Sequence, residues 1–177
     1  MSQDKDLIAL VNENDEITGY NNKLVVHQLG LLHRAFSIFI FNSENKILLQ
    51  RRAIQKYHSG GLWTNTCCSH LAFRENFEQS VQRRLQEEMG ISCNVEHVFS
   101  FRYCAALNNG LIENELDHVF FGFSNETPIP DPEEVSDWKW VDLFEINNDL
   151  IINKEKYTYW FNIAFQRILQ YNELTVF

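Results

Sequence analysis

The sequence predicts a single domain of mixed α/β class, in which a sheet is covered by at least two helices. The chain has 177 residues, a length that suits one domain with one sizeable core. Residues Ala35 to Phe41 are apolar on both faces, as expected of a buried central strand. Two other segments, one in the middle of the chain and one near its end, repeat apolar residues at helical spacing.

Extended segments dominate the first half of the chain. The stretch DLIALVNENDEITGY predicts a hairpin, because apolar runs flank an Asn/Asp turn. After the central strand, the turn at residues 43–45 leads into a strand over Lys46 to Gln50. Leu62 to Thr66 and Cys67 to Ala72 are also predicted to be extended.

Helices and strands alternate in the second half. Apolar residues recur every four positions from Phe77 to Met89 and Gly90 follows, which predicts an amphipathic helix with a C-terminal cap. Later strands are predicted over Val95 to Cys104, Asp117 to Phe123 and Val135 to Val141, and a loop with the three prolines precedes the last of them. The terminal helix has its apolar stripe at Tyr157, Trp160, Phe161, Ala164, Phe165, Ile168 and Leu169.

Charge and cysteine content restrict the partners of the protein. The net charge of −9 disfavours nucleic acid and anionic membrane surfaces, although basic side chains clustered in a site would still bind a small anion. The four cysteines include an adjacent pair, and the sequence has neither an N-terminal leader pattern nor a spanning segment. We therefore expect a cytoplasmic protein with reduced thiols and without membrane insertion. A monomer or a weak homo-oligomer is also expected, although the sequence does not determine the oligomeric state.

The central predicted helix and the residues before it resemble the Nudix signature, which forms a metal and diphosphate site. Glu75 has the right spacing to Arg83, and the segment from Arg83 to Ile91 matches at most positions. Two positions differ: Ser69 replaces a glycine, and Arg84 replaces a glutamate. The second change adds two units of positive charge where carboxylates would gather Mg²⁺, so the helix can hold a diphosphate but is poorly equipped to hydrolyse one. The alternative is a solvated charged face.

The segment WTNTCCSH, residues 63–70, carries a thiol and an imidazole two positions apart. If it is extended, Cys68 and His70 point the same way, which suits either a metal site or an activated thiolate. The alternative is a buried thiol beside a hydrogen-bonded histidine.

Two carboxylates and two histidines form the other candidate groups. Glu113 and Glu115 are neighbours on one strand face, where like charges are costly unless a cation or a proton lies between them. The alternative is a pair of exposed acids. His27 and His33 precede the central strand and are either metal ligands or surface histidines.

Taken in order, these groups resemble the type I isopentenyl-diphosphate isomerases, from about Leu24 to Phe165. The similar stretches are HRAFS at 33–37, LQRRA at 49–53, WTNTCCSH at 63–70 and GLIENE at 110–115. The resemblance implies a Nudix-like mixed sheet sandwiched between helices, in one domain over residues 1–177. It further implies an N-terminal hairpin and lid over about 1–33 and a core over about 34–177.

The resemblance also implies the roles of individual residues. One divalent Zn²⁺ or Mn²⁺ is expected at His27, His33, His70, Glu113 and Glu115, a donor set that suits these ions. Cys68 and Glu115 are the expected catalytic residues, with Tyr103 as the helper of Glu115, whereas Cys67 should point to the other face. Diphosphate is expected to contact Lys23, Arg52, Lys56 and Arg84, with Glu88 as the ligand of its Mg²⁺. Trp160 matches the aromatic over the hydrocarbon, although its position on the helix stripe fits core packing equally well.

Two departures from the family pattern stand out. His27 and His33 are one residue closer together than in bacterial members, and the loop before Trp63 reads His58-Ser59-Gly60-Gly61 where Pro-Gly is usual. We expect neither departure to touch a chemical group directly.

The activity implied is the interconversion of isopentenyl and dimethylallyl diphosphate by proton transfer through a carbocation, without an organic cofactor. The sequence leaves open whether Cys68 or Glu115 donates the proton. Two other functions compete with this one: a Nudix hydrolase, which Arg84 disfavours, and a non-catalytic metal-binding module, which has little use for the thiol of Cys68.

Overall fold

The computed structural model describes residues 6–107 and 109–175. Its nine strands form one mixed sheet with four α-helices around it. The first part of the chain forms β1 (Leu7–Val11), β2 (Ile17–Asn22), α1 (Lys23–Leu29), β3 (His33–Phe41), β4 (Ile47–Arg52), β5 (Trp63–Thr64) and β6 (Cys67–His70). The second part forms α2 (Phe77–Met89), β7 (Val95–Ala106), β8 (Ile112–Phe123), β9 (Val135–Val141), α3 (Leu143–Asn153), a 3₁₀ turn (Lys154–Lys156) and α4 (Tyr159–Thr175).

Strand β3 is the centre of the sheet, as its apolar run predicts. It runs parallel to β8 and antiparallel to β6, and it also pairs with β1 and β4. Its side chains alternate between two cores. Phe39 packs with Phe161 on the α4 side, whereas Ile38 packs with Leu85 on the α2 side. The predicted mixed α/β domain, with its sheet sandwiched between helices, is therefore confirmed.

The ends of the helices follow the local sequence. In α2, the side chain of Asn76 caps the first turn, Gln79 completes a capping box, and Gly90 ends the helix in the left-handed conformation at φ 67°. Helix α1 begins with Asn22 as its cap and ends at Gly30, also at positive φ. These caps fix where the side chains of each helix project.

Several boundaries differ from the prediction. Strand β8 begins at Ile112, five residues earlier than predicted, and β6 ends at His70, two residues earlier. Helix α4 begins at Tyr159, two residues later than predicted, and Tyr157 instead pairs with Trp63 in an isolated bridge. Helices α1 and α3 were not predicted. Each is short, and most of their stability comes from packing on the sheet, which a single sequence does not display.

Among the described residues, none of the helices combines the length and apolarity that crossing a membrane requires.

Candidate active site

Five predicted metal ligands converge beside the central strand. One ligand atom from each of them lies within 4.8 Å of the others, and the group consists of His27, His33, His70, Glu113 and Glu115. The strand register produces this meeting. His33 of β3 is opposite Glu115 of β8, and Ala35 of β3 is opposite His70 of β6.

The hydrogen bonds of two histidines leave lone pairs directed into this cluster. Nδ1 of His27 lies 2.6 Å from the carbonyl oxygen of Lys23, and Nδ1 of His33 lies 2.8 Å from that of Leu31. A carbonyl only accepts, so Nδ1 of each ring carries a proton, and when a ring is neutral its Nε2 offers a lone pair to a cation. Both Nε2 atoms face Oε2 of Glu113, at 3.0 and 3.7 Å.

These converging acceptors fit a cation. Nε2 of His27, Nε2 of His33 and Oε2 of Glu113 are buried without a hydrogen-bond partner among the described residues. Burying such atoms is costly unless something satisfies them. Metal-ligating histidines commonly donate their other ring N–H to a backbone carbonyl, as these two do. The cluster is therefore suited to a divalent metal.

The two carboxylates of the cluster differ in their surroundings. Burial and the charge of Glu115 raise the pKa of Glu113 well above its usual range. Burial opposes ionisation of Glu115 as well, but the imidazoles of His33 and His70 more than offset it and hold its pKa low. Oε1 of Glu115 lies 3.0 Å from Nε2 of His70, and Oε2 accepts a 2.6 Å hydrogen bond from the hydroxyl of Tyr103.

The adjacent cysteines lie on opposite sides of the sheet, as predicted. Cys67 is fully buried in the core under α2, whereas Cys68 packs against the other core and lines the cavity beside the metal cluster. Burial raises the pKa of the Cys68 thiol to about 12, although the charge of Arg52 counteracts part of the effect. A guanidinium nitrogen of Arg52 lies 3.6 Å from the Cys68 sulfur.

One small cavity joins the thiol, the carboxylates and the basic residues. Of the predicted site residues, its wall contains Lys23, Arg52, Lys56, Cys68, His70, Arg84, Glu88, Glu113, Glu115 and Trp160. Four cationic side chains around a small buried space suit an anionic ligand. Burial, followed by the charges of Lys56, Arg52 and Arg84, lowers the pKa of Lys23 to about 8.

Two acidic residues neutralise part of this basic group. Glu88 is buried, accepts from Gln50 at 2.9 Å and pairs with Arg84. Glu134 pairs with both Lys56 and Arg84. Although burial works against it, the charge of Glu88 raises the pKa of Arg84, which is thus firmly cationic.

Trp160 serves the core and the cavity together. It is 4% exposed, belongs to the core beneath α4, and also lines the cavity. The guanidinium carbon of Arg52 lies 5.4 Å from the centre of its ring. The core packing expected of Trp160 is therefore confirmed, and its contact with a substrate hydrocarbon stays a prediction.

Comparison with known proteins identifies the family to which this chain belongs. Residues 31–161 match the NUDIX domain. Isopentenyl-diphosphate Delta-isomerase 1 of Aromatoleum aromaticum is 49% identical over 169 residues, which is 96% of each chain. The isopentenyl-diphosphate Delta-isomerase of Pectobacterium atrosepticum is 47% identical over 93% of this chain and 92% of its own length. The chain belongs to the isopentenyl-diphosphate Delta-isomerase family.

Solved structures show the same fold at lower identity. A protein of Deinococcus radiodurans is 18% identical and superposes with a TM-score of 0.76 over 91% of this chain and 98% of its own. The MutT protein from Methanosarcina mazei is 20% identical, with a TM-score of 0.67 over 80% of this chain and 95% of its own. The isomerase family member described here therefore has the fold of NUDIX proteins.

The signature helix of this isomerase family member is joined by ion pairs. Arg83 contacts Glu75 at 2.8 Å and Glu87 at 2.9 Å. Arg84 contacts Glu87 at 2.7 Å and also Glu88. The arginine that replaces a signature glutamate thus occupies carboxylates that a hydrolytic metal cluster would need.

The expectation for the loop before Trp63 is wrong, because His58 does reach the site. The residue is 8% exposed, and its Nε2 lies 3.1 Å from Oε1 of Glu113. Burial and the nearby charge of Arg52 lower the pKa of His58 to about 2, so the ring is neutral. The signal was in the sequence: a histidine stands in a stretch where the family pattern already changes.

A buried Ser–Asp pair was also missed. The hydroxyl of Ser37 donates to Asp117 at 2.8 Å beneath the cavity, and Ser37 lines it. Asp117 continues the inward-facing row of Glu113 and Glu115 along β8. The alternation of β8 could have identified it.

Proposed function

We propose that this chain interconverts isopentenyl diphosphate and dimethylallyl diphosphate. The observation that carries the proposal is a single cavity that combines a thiol, a carboxylate held by a tyrosine, and four cationic side chains, in a chain of the isomerase family. The cations would bind the diphosphate, and the thiol and carboxylate would exchange protons with the hydrocarbon.

The reaction moves one double bond by adding a proton and removing another. Protonation of the terminal alkene carbon leaves a tertiary cation at the adjacent carbon. Loss of a proton from the carbon nearer the diphosphate then forms the new double bond. We assign the first step to Glu115, assisted by the hydroxyl of Tyr103, and the second to Cys68. The reverse assignment uses the same groups.

The protonation states of the free site bear on this choice. Burial keeps the thiol of Cys68 protonated, whereas the histidines keep Glu115 ionised. In the first assignment, a proton must therefore pass from the thiol to the carboxylate before turnover. In the reverse assignment, the thiol donates directly and Glu115 accepts.

The basic residues orient the diphosphate end of the substrate. We assign this role to Lys23, Arg52, Lys56 and Arg84, all of which line the cavity. Arg84 is anchored by Glu88, which we assign as a ligand of the Mg²⁺ that accompanies the diphosphate. Trp160 forms part of the apolar wall, where an aromatic face stabilises a nearby cation by about 0.5 to 2 kcal/mol.

The donor set of the cluster favours Zn²⁺ or Mn²⁺, held by His27, His33, His70, Glu113 and Glu115. Such an ion would supply positive charge that stabilises the two buried carboxylates. The protein orients the imidazoles for it through the carbonyls of Lys23 and Leu31.

The N-terminal segment supports the site. Helix α1 carries both Lys23 and His27, and it packs against β8. We propose that the N-terminal hairpin and lid over about 1–33, of which the structure describes residues 6–33, exclude water from the carbocation, within one domain over residues 1–177. The four cysteines are free, which supports a reducing cytoplasmic location, and we expect a monomer or a weak homo-oligomer.

The test is incubation of the protein with isopentenyl diphosphate, Mg²⁺ and either Zn²⁺ or Mn²⁺ in D₂O, followed by proton NMR. New allylic methyl signals with deuterium in the substrate carbons support isomerisation by proton exchange. Free phosphate or isopentenol would indicate a hydrolase instead. No change with any of these metals would overturn the proposed activity.

A further inference from the structure

A histidine outside the metal cluster contacts one of its carboxylates. His58 lies in the loop between β4 and β5, and its Nε2 is 3.1 Å from Oε1 of Glu113. The other oxygen of Glu113, Oε2, faces the ring nitrogens of His27 and His33. The two oxygens of this carboxylate therefore have different neighbours.

The loop backbone holds His58 firmly in this place. The guanidinium of Arg52 donates a hydrogen bond of 3.3 Å to the carbonyl of His58. The backbone of Arg52 also forms hydrogen bonds with the backbone of Gly61 and Leu62 at the far end of the loop. Gly61 has a φ of 78°, in the left-handed region. A Cβ on Gly60 would collide with the carbonyl oxygen of Ile54. The two glycines permit a tight loop that directs the histidine inward.

The neighbours of the ring fix its orientation. Its centre is 4.4 Å from that of Tyr57 and 6.0 Å from that of Trp160, in an edge-to-face arrangement with each. Nδ1 lies 3.3 Å from the hydroxyl of Ser59, which can donate to it. When Nδ1 is the acceptor, the neutral ring carries its proton on Nε2, the atom that faces Glu113; the opposite tautomer would donate from Nδ1 to Ser59.

We propose that His58 is a positioning residue, which donates Nε2–H to Oε1 of Glu113 and thereby directs Oε2 toward the metal. Ligating carboxylates are commonly held by such hydrogen bonds, and loss of one partner typically weakens metal binding by about 10- to 100-fold. The proposal rests on the metal cluster of the proposed function, but it does not depend on isomerase turnover.

The first test is the affinity of the metal-stripped protein for Zn²⁺ or Mn²⁺, measured by competition with a chromogenic chelator. We expect His58→Ala to raise Kd by about 10- to 100-fold, and His58→Gln, whose amide can donate, to restore part of the loss. His97→Ala is the matched control, because His97 is an exposed histidine that contacts Ser100 and not the cluster. A Kd for His58→Ala within about twofold of wild type would overturn the proposal.

A second test needs only the wild-type chain and so stands even if His58→Ala does not fold. Long-range proton–nitrogen spectra of ¹⁵N-histidine protein report which ring nitrogen of His58 carries the proton. We expect a protonated Nε2 both before and after addition of Zn²⁺. A Nε2 that loses its proton and takes a metal-bound shift would make His58 a ligand and overturn the positioning role. Both tests can support the role of His58 even if the D₂O assay shows no isomerisation. Failure of this proposal can therefore be distinguished from failure of the proposed isomerase activity.

Discussion

The hydroxyl of Tyr103 donates a 2.6 Å hydrogen bond to Oε2 of Glu115, whose other oxygen lies 3.0 Å from His70. Tyr103 and Glu115 are directly opposite each other in the pairing of β7 with β8. The carboxylate is thus held at one oxygen by a phenol and at the other by the metal cluster. A variant that removes only the hydroxyl of Tyr103 can therefore test its effect on Glu115.

Tyr103→Phe should lower kcat by about 10- to 100-fold while leaving KM nearly unchanged. The variant keeps the ring but removes a hydrogen bond to a charged group, which contributes about 1.5 to 3 kcal/mol. Steady-state kinetics with isopentenyl diphosphate measure the effect. Tyr159→Phe is the control, because Tyr159 is 51% exposed and its ring lies 5.8 Å from that of Tyr103. Equal kcat values for the two variants would contradict a role for the Tyr103 hydroxyl.

Cys68→Ala should abolish turnover, whereas Cys67→Ala should retain it within a few fold. Only Cys68 lines the cavity, since Cys67 points into the core under α2. Cys67→Ala should instead lower the free energy of unfolding by about 1 kcal/mol, because it removes one buried sulfur atom, a group roughly comparable to a methylene. Turnover assays and urea unfolding of both variants test the pair. Turnover retained by Cys68→Ala would remove the thiol from the mechanism.

The residues on regular elements were predictable, because one-dimensional spacing fixes where they point. Glu113 and Glu115 had to share a strand face, and Cys67 and Cys68 had to face apart. The sequence could also place Arg84 and Glu88 on one face of a helix. These relations need no knowledge of the tertiary structure.

The contacts that the sequence did not predict join residues that are far apart along the chain. His58 contacts Glu113, but the two residues lie on different elements, so no helix or strand periodicity relates them. The direction of the His58 side chain depends on the backbone of a short loop that contains glycine. Gln50 reaches Glu88 only because β4 lies beneath α2. Helix α1, with seven residues, is too short to be stable alone and is held by its contacts with β8 and β2. Such features arise from packing, and a single sequence does not specify them locally.

Removal of the metal should destabilise the protein. A ligand present at about 100 times its Kd stabilises the native state by about 2.7 kcal/mol, which corresponds to a fall in Tm of about 5 to 10 °C on its removal. Thermal unfolding with and without a chelator, followed by Zn²⁺ or Mn²⁺ addition, measures this change. In His27→Ala the cluster loses one donor, so its Tm should respond much less to the chelator. An unchanged wild-type Tm would count against a metal in this cluster.

Alkaline pH should lower kcat/KM for the diphosphate substrate, because Lys23 loses its positive charge. Burial and the charges of Lys56, Arg52 and Arg84 lower its pKa to about 8, so the amine is charged below that pH and loses its charge above it. Since kcat/KM reports the ionisation of the free enzyme, it should fall as pH rises through about 8. The full loss should reach about 10- to 100-fold, the effect of a charge-assisted hydrogen bond of about 1.5 to 3 kcal/mol.

Lys23→Arg is the discriminating variant for this pH dependence, because a guanidinium remains charged throughout the range. Its kcat/KM should stay level across pH 8, even if its absolute value is lower. Binding of a dianionic end group favours the charged amine, so the corresponding fall in kcat should occur at higher pH in the wild type. If Lys23→Arg kept the wild-type alkaline limb, another group would have to titrate there, and Lys23 would not set the pH dependence of diphosphate binding.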